Sequence, residues 1–214
     1  MTISVFLVDD HRVLRDGLHM LLASQADIAV VGEAENGKQA IEGITKIMPD
    51  VVLMDITMPE LNGIDAAKII HEKLPETKII ILSVHSDSEH IFRALQGGAH
   101  GYLLKESAGS EVISAVRAVY LGDRFLSSDL REKYEDSQIM QDKTQSPLEL
   151  LSLREREVLQ LTVEGHSSAA IAEKLKLSSK TVETYRSRLM GKLDLHDLPE
   201  LVRFAIKHGL TPID

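Results

Sequence analysis

The sequence predicts a doubly wound α/β domain with a five-stranded parallel sheet, followed by a smaller all-α domain of four helices. Short apolar runs typical of buried strands alternate with segments of helical periodicity up to about residue 122. This alternation is typical of a parallel sheet that is covered by helices on both faces. Only helical periodicity is found from residue 149 onward, and the polar segment 123–148 is predicted to be a linker with room for a short helix.

Five strands and five helices are predicted in alternation within the first domain, residues 1–122. The strands span residues 3–8, 28–34, 51–54, 78–82 and 101–104. The helices span residues 13–22, 38–47, 64–74, 88–96 and 110–121. Periodicity does not give the order of the strands, but ligands of such open sheets bind at the carboxyl ends of the strands.

Composition excludes several classes of protein. The chain of 214 residues has no cysteine, which excludes disulfide bonds and thiolate metal sites. Its first residues form neither a basic nor a long apolar segment, and no apolar run is long enough to span a bilayer. We therefore expect a soluble cytoplasmic protein with no membrane partner.

The net charge of −9 is unevenly distributed along the chain. Residues 1–148 include 23 acidic and 14 basic residues, whereas residues 149–214 include ten of each. Within 174–192, six basic residues accompany a single acidic residue, Glu183. Such a basic stripe is either a solvated helix face or a surface for nucleic acid, and charge alone does not decide between them.

Polar side chains lie at the carboxyl ends of four of the five predicted strands. They are Asp9 and Asp10 after the first strand, Asp55 after the third, Ser83 after the fourth and Lys105 after the fifth. A lone aspartate after a strand is most often a helix cap, but this set is expected to meet at one edge of the sheet. Neighbouring carboxylates need a cation or a proton to coexist, and oxygen ligands without histidine or cysteine favour Mg²⁺ over zinc.

This combination of side chains is suited to accepting a phosphoryl group. A carboxylate oxygen can act as the nucleophile, while a lysine and a metal ion neutralise the charge on the transferring oxygens. The histidines indicate no second metal site, because His11, His85, His90 and His100 show no ligand spacing on one element.

Four motifs resemble the receiver domain of two-component response regulators, over about residues 3–122. They are LVDDH, LMDITMPELNG, ILSVHSD and GAHGYLLKES. The resemblance implies a flavodoxin-like sheet with the strand order 2-1-3-4-5. It also implies that a cognate sensor histidine kinase phosphorylates Asp55, with Mg²⁺ as the cofactor.

The resemblance assigns a role to each residue at the edge of the sheet. The residues implied for the Mg²⁺ site are Asp10, Asp55, the backbone carbonyl of Thr57 and, through water, Asp9. Lys105 would pair with the phosphoryl group, while Ser83 and Tyr102 would form the switch that responds to it. Tyr102 has an alternative interpretation as a half-buried aromatic residue at a strand end.

The second domain, residues 149–214, is predicted to contain four helices. The first begins with a capping box, in which Ser152 is the cap and Glu155 lies three residues later, and it ends at Gly165. The second covers residues 167–177, and the third begins at a cap that is either Ser178 or Ser179. The fourth lies within residues 197–210.

The motifs LSLREREVLQL, AAIAEKL and KTVETYRSRLMGKL resemble the LuxR/NarL-type output domain, over about residues 148–210. The resemblance implies a helix-turn-helix that binds double-stranded DNA with its second helix in the major groove. The residues implied for DNA binding are Lys180, Thr181, Glu183, Thr184, Arg186, Ser187, Arg188 and Lys192. Lys180 and Thr181 would lie near phosphates. Glu183 would either accept a hydrogen bond from cytosine or weaken non-specific binding.

The last predicted helix has an apolar side that has two interpretations. It is either part of the core of the second domain or, as the resemblance implies, a dimerisation surface. The residues implied for dimerisation are Leu198, Leu201, Val202 and Ala205. A homodimer that forms on phosphorylation would match two recognition helices to two DNA half-sites.

Two classes of function are compatible with these features, and a regulator that acts without phosphorylation is a third, narrower option that the complete set of site residues disfavours. The first is a transcription regulator switched by phosphorylation, with no enzyme activity except formation and hydrolysis of its own aspartyl phosphate. The second is a phosphohydrolase of the haloacid-dehalogenase type, which would need a second acid two residues after Asp55, where Thr57 lies. For the regulator, we expect the unphosphorylated first domain either to pack against the second or to leave it monomeric, with the recognition helix poorly presented.

Overall fold

The computed structural model describes residues 2–133 and 146–211. Part of the predicted linker, residues 134–145, lies outside the described residues, as do Met1 and the C-terminal residues 212–214. The chain forms an α/β domain and a smaller helical domain, as predicted. No described helix has the length and apolar character needed to cross a membrane.

The α/β domain is built on a parallel sheet. Its strands are β1 (Ile3–Val8), β2 (Ile28–Ala34), β3 (Val51–Asp55), β4 (Lys78–Ser83), β5 (Gly101–Leu104) and β6 (Phe125–Leu126). They are arranged in the order β2-β1-β3-β4-β5-β6, and every neighbouring pair is parallel. The order implied for the first five strands is therefore confirmed.

Helices connect the strands and cover both faces of the sheet. They are α1 (Arg12–Ala23), α2 (Gly37–Ile47), α3 (Gly63–Lys73), α4 (Ser88–Gln96) and α5 (Ala108–Tyr120). One hydrophobic core lies on each face. All five residues of β3 are buried, because a central strand of a parallel sheet is covered on both sides.

The sixth strand, β6, was not predicted. It lies in the polar segment 123–148, where two consecutive residues give no periodicity, and it pairs with the edge of β5. Ser127, which follows β6, helps to hold β6 against β5, because its Oγ accepts from the backbone N–H of Leu104 at 2.8 Å. The short helix α6 (Ser128–Lys133) follows, and its Leu130 is buried in the core. The predicted linker thus contributes structure to the sheet before the chain reaches residue 134.

The second domain consists of a short 3₁₀ helix, Pro147–Leu150, and four α-helices around a third hydrophobic core. The helices are α7 (Leu153–Val163), α8 (Ser168–Leu175), α9 (Ser179–Leu193) and α10 (Leu198–Lys207). The predicted capping box at Ser152 and Glu155 is present at the start of α7. Ser178 caps α9, and its side chain accepts from the backbone N–H of Thr181.

Gly63 allows α3 to begin against the end of β3. A Cβ atom at this position would lie 1.8 Å from the backbone oxygen of Asp55, far inside van der Waals contact. The backbone N–H of Gly63 also donates to Ile56 O at 2.7 Å. The glycine therefore fixes the course of the loop that leaves Asp55.

We predict that Gly63→Ala lowers the free energy of unfolding by about 1–3 kcal/mol or more, because the added methyl group overlaps backbone atoms. Chemical denaturation of the full chain measures this change. Gly17→Ala in α1 is the matched control, since nothing lies within 4 Å of a Cβ there. The control should be stabilised by roughly 0.5–1 kcal/mol, as expected for glycine replaced in a helix interior. Equal stability of the two variants would contradict the close approach at Gly63.

Candidate functional site

Three of the predicted site residues form a charged cluster at the carboxyl end of the sheet. Asp55 ends β3, Asp9 follows β1, and both carboxyl groups are buried. Lys105 follows β5, and its Nζ lies 2.7 Å from Asp55 Oδ2 and 2.9 Å from Asp9 Oδ2. The parallel arrangement of the strands brings these residues together although up to 96 positions separate them in sequence.

Burial and charge act in opposite directions on this cluster. Burial raises the pKa of Asp55 to about 7, against the attraction of the Lys105 ammonium group and with a further contribution from Asp9. Burial disfavours the charged form of Lys105, but Asp55 and Asp9 outweigh this effect and raise its pKa. The cluster therefore favours any further cation that would stabilise ionised Asp55.

The geometry of the acidic residues fits a divalent cation. Asp9, Asp10, His11 and Asp55 each offer a ligand atom within 4.8 Å of the others. Asp9 Oδ2 and Asp10 Oδ1 are buried and accept no hydrogen bond of normal geometry within the described residues. Lys105 Nζ lies 2.9 Å from Asp9 Oδ2, and His11 Nδ1 lies 2.8 Å from Asp10 Oδ1. Two such oxygens are suitable ligands for a hard ion.

Ser83 and Tyr102 lie beside the cluster and both contact the backbone of His85. Ser83 Oγ accepts from His85 N at 2.9 Å, and the Tyr102 hydroxyl donates to His85 O at 2.8 Å. The Tyr102 ring is fully buried, and burial raises its pKa. The loop between β4 and α4 is thus attached to both residues that the resemblance implies as the switch.

The loop between β3 and α3 contacts the helical domain directly. Gln160 of α7 is buried and makes two hydrogen bonds to this loop. Its Nε2 donates to Met58 O at 2.7 Å, and its Oε1 accepts from Asn62 N at 3.0 Å. Next to it, Glu164 accepts from the backbone N–H of Glu60 at 2.9 Å. We use the term interdomain contact for these hydrogen bonds, the ion pairs that α7 and α8 make with the α/β domain, and the contacts between α4 and the end of α10.

Two ion pairs reinforce the interdomain contact. Arg156 of α7 lies with its Nη2 2.7 Å from Asp65 Oδ1, and both side chains are largely buried. Lys174 of α8 lies 2.7 Å from Glu60 Oε1 in a more exposed position, where an ion pair adds little stability. Arg156 is therefore the charged residue on which this side of the contact depends most.

The helix α4 forms the other side of the interdomain contact. His208, just after α10, places its Nδ1 2.8 Å from Glu89 Oε1, and its carbonyl accepts from Arg93 at 3.1 Å. The next residue, Gly209, accepts a 3.4 Å hydrogen bond from the hydroxyl of Thr57. Thr57, whose carbonyl the resemblance implies as a metal ligand, thus connects the loop between β3 and α3 to the end of the helical domain.

The residues of the interdomain contact were not predicted from the sequence. They are polar and charged side chains on helices, which sequence alone cannot distinguish from solvated ones. Arg93 and Gln160 are both more than 90% buried, yet neither belongs to a motif that signals burial.

Most of the implied DNA-binding residues form an exposed face of α9. The exposed members are Lys180, Glu183, Thr184, Ser187, Arg188 and Lys192, while Thr181 and Arg186 are half-buried. Arg186 donates to Ser168 Oγ at 3.3 Å, and Lys192 lies 2.7 Å from Glu155 Oε2. These last two side chains therefore have partners within the domain.

The expectation of a poorly presented recognition helix differs from the structure. The two domains do pack together, as expected, but they meet through α7, α8 and the end of α10. Within residues 2–133 and 146–211, the outward residues of α9, such as Thr184 and Arg188, remain exposed. The interdomain contact is formed by the side of the helical domain on which α7 and α8 present polar side chains to the α/β domain.

The residues implied for dimerisation do not share one environment. Leu201 and Ala205 are buried in the core of the helical domain, where a second subunit cannot reach them. Leu198 is 48% exposed and Val202 is half-buried. The apolar side of α10 thus serves mainly as core, because a four-helix domain of this size needs it to cover α7, and only its margin is accessible.

Two family models match the chain. The response regulator receiver domain matches residues 5–117, and the bacterial regulatory proteins of the luxR family match residues 149–205. The two matches cover the two domains of the structure.

Curated relatives align along nearly the whole chain. The response regulator UvrY of Escherichia coli (strain K12) is 42% identical over 208 residues, which cover 97% of this chain and 95% of UvrY. The oxygen regulatory protein NreC of Staphylococcus haemolyticus is 40% identical over 212 residues, which cover 96% of this chain and 98% of NreC.

Solved structures show the same two-domain architecture. RcsB of Salmonella typhimurium is 27% identical with a TM-score of 0.57, and the match covers 95% of this chain and 97% of RcsB. An RcsB–DNA complex is 26% identical with a TM-score of 0.59, and the match covers 97% and 99% of the two chains. The chain therefore belongs to the NarL/FixJ family of two-component response regulators, in which a receiver domain precedes a LuxR-type DNA-binding domain.

Proposed function

We propose that the chain is a transcription regulator in which a cognate sensor histidine kinase phosphorylates Asp55 and thereby promotes dimerisation and promoter binding. The observation that supports this most strongly is the cluster of Asp55, Asp9 and Lys105, with Lys105 Nζ 2.7 Å from Asp55 Oδ2. Membership of the family implies that a histidine kinase donates the phosphoryl group and that DNA is the molecule bound.

The proposed reaction is transfer of a phosphoryl group to a carboxylate. An oxygen of ionised Asp55 attacks phosphorus, and the bond from phosphorus to the kinase histidine nitrogen breaks. Lys105 lies where it can neutralise charge on the phosphoryl oxygens. Ser83, whose Oγ lies 2.9 Å from His85 N, would exchange that contact for the phosphoryl group.

We assign the Mg²⁺ site to Asp10, Asp55 and the backbone carbonyl of Thr57, with Asp9 acting through water. The buried oxygens of Asp9 and Asp10 that lack a normal hydrogen bond support this assignment. When bound, Mg²⁺ supplies positive charge next to the phosphoryl oxygens.

The protein is not an enzyme acting on other substrates, and formation and hydrolysis of its own aspartyl phosphate are its only reactions.

The interdomain contact provides the route by which phosphorylation reaches the DNA-binding domain. A phosphate on Asp55 adds about −1.5 to −2 charges beside Asp9 and Asp10. The loop from Thr57 to Asn62 begins two residues later and is held by Gln160 and Glu164. A movement of this loop breaks those hydrogen bonds, and a movement of Tyr102 alters the loop before α4.

Release of the contact would allow two helical domains to pair. The proposed dimer surface is the accessible margin of α10, represented by Leu198 and Val202. Two recognition helices would then match half-sites about one DNA turn apart.

The domains assigned to this mechanism are residues 1–122, a connection of 123–148 to which β6 and α6 belong, and 149–214. We place the protein in the cytoplasm, where kinase and DNA are accessible.

On α9 we assign two kinds of DNA contact. Lys180 and Thr181, at the start of the helix, would contact phosphates, and Arg186 and Lys192 would support this positioning. Glu183, Thr184, Ser187 and Arg188 are the candidates for base edges, and Arg188 is suited to guanine. The exposure of these base-contacting candidates supports the assignment.

We predict that only Asp55 accepts phosphate. Incubation with a small phosphodonor and Mg²⁺ should give one phosphoryl adduct per chain by intact-mass measurement. The adduct should be absent in Asp55→Asn and after chelation of Mg²⁺, and present in Asp16→Asn, a change at an exposed aspartate of α1. An adduct of equal yield on Asp55→Asn would refute the assignment.

We predict different effects for two substitutions on α9. Lys180→Ala should weaken binding to all DNA sequences and reduce the salt slope by about 1, because one phosphate contact is lost. Arg188→Ala should cost about 1–3 kcal/mol on the specific site and relax sequence preference. Titrations on specific and scrambled duplexes at several salt concentrations distinguish them, and identical behaviour of the two variants would disprove the division of roles.

We predict that Gln160→Ala activates the unphosphorylated protein. Loss of two interdomain hydrogen bonds, each worth about 0.5–1.5 kcal/mol, should increase dimer formation and DNA affinity by about fivefold and by at most about 150-fold. Sedimentation and DNA titration without phosphodonor measure this. Gln25→Ala, at a glutamine bonded to Arg117 far from the contact, is the control. If Gln160→Ala behaves like this control, the contact does not restrain the regulator.

A further inference from the structure

A cluster of two histidines and an aspartate lies in the loop between β4 and α4. His85, Asp87 and His90 each offer one ligand atom within 4.8 Å of the others. The rings of His85 and His90 stack, with centroids 4.1 Å apart and planes 6° apart. No histidine metal site was expected from the sequence, because the loop spacing of these residues follows no helical ligand pattern. The fold brings them together.

His90 is arranged as a metal ligand. Its Nδ1 lies 2.8 Å from both carboxylate oxygens of Asp87, which can only accept, so Nδ1 is the donor and Nε2 is the ring nitrogen left to bind a metal ion. Carboxylate–histidine pairs of this kind orient the histidine ligands of metal sites. His90 is 98% buried, and its Nε2 has no hydrogen-bond partner among the described residues. A buried ring nitrogen without a partner is energetically costly, and a bound ligand would remove this cost.

His85 and Gly209 form the rest of the candidate metal site. A Cβ atom at Gly209 would lie 2.8 Å from His90 Nε2 and 3.1 Å from His85 Nε2, so both nitrogens face the space left free by this glycine. His85 is half-exposed, and burial lowers its pKa, which favours the neutral form that binds metals. The ring planes are nearly parallel, so the more exposed His85 ring has to rotate for the two Nε2 atoms to bind one ion.

We propose that His85 Nε2 and His90 Nε2 bind a divalent transition-metal ion, Zn²⁺ being the reference ion, with Asp87 orienting His90. Imidazole nitrogens bind Zn²⁺ at about 2.0–2.1 Å, and water completes the coordination. The ion differs from the proposed Mg²⁺ in ligand type, since nitrogen ligands select transition metals. Its site shares a loop with Ser83 and lies under Gly209 of the interdomain contact. A bound ion therefore fixes the loop that the phosphorylation switch must move.

The test is a Zn²⁺ titration of the tag-free full chain in millimolar Mg²⁺, read against a chromophoric chelator. We expect one Zn²⁺ per chain. His85→Ala and His90→Ala should each weaken binding at least about tenfold. Asp87→Asn, which keeps the helix cap, should weaken it by about 10–100-fold. His196→Ala, at an exposed histidine outside the cluster, should bind Zn²⁺ like the unaltered chain.

A second measurement does not depend on the variants. In the chain labelled with ¹⁵N-histidine, Zn²⁺ should shift the Nε2 resonances of two histidines, which the single variants identify as His85 and His90. Thermal unfolding in the absence of Zn²⁺ verifies that each variant is folded. Absence of Zn²⁺ binding to the unaltered chain overturns the proposal. Binding that is retained in both histidine variants, or shifts confined to other histidines, overturns it equally.

Discussion

The end of β3 places a carboxylate where the sheet is covered on both faces, and the rest of the site depends on this constraint. Asp55 is 97% buried, and its burial alone would favour the neutral acid. Lys105 compensates at 2.7 Å, and removal of one member of such a buried pair costs about 3–5 kcal/mol. Asp9 adds a second carboxylate beside Asp55, so the cluster has more negative than positive charge when both are ionised. Any charge added at this edge of the sheet therefore changes the energy of every group around it.

The α/β architecture could be predicted from sequence because strand and helix periodicities alternate strongly. The charged cluster could be predicted as well, since parallel strands bring their carboxyl ends to one edge. The strand β6 could not, because two residues give no periodicity and its pairing depends on the exposed edge of β5. The choice of Ser178 as the cap of α9 likewise required backbone geometry.

The contacts between domains could not be predicted for a different reason. Their energies come from the pairing of side chains that would be equally suitable in solvent. Gln160 has the same sequence environment as any helical glutamine, and only the approach of Met58 and Asn62 gives it a partner. The same holds for His85 and His90, which are separated by a turn into α4. An interaction that depends on how two structural elements are placed leaves no recognisable pattern in the sequence of either element.

The exposure of α9 has a consequence for the kinetics of the response. A monomer with an accessible basic helix can associate weakly with any DNA, since contacts to phosphates are independent of sequence. Resting molecules would then be held near the chromosome and not dispersed through the cell volume. The search for a promoter would be largely one-dimensional, and the delay after a stimulus would be set by the meeting of two modified chains on DNA.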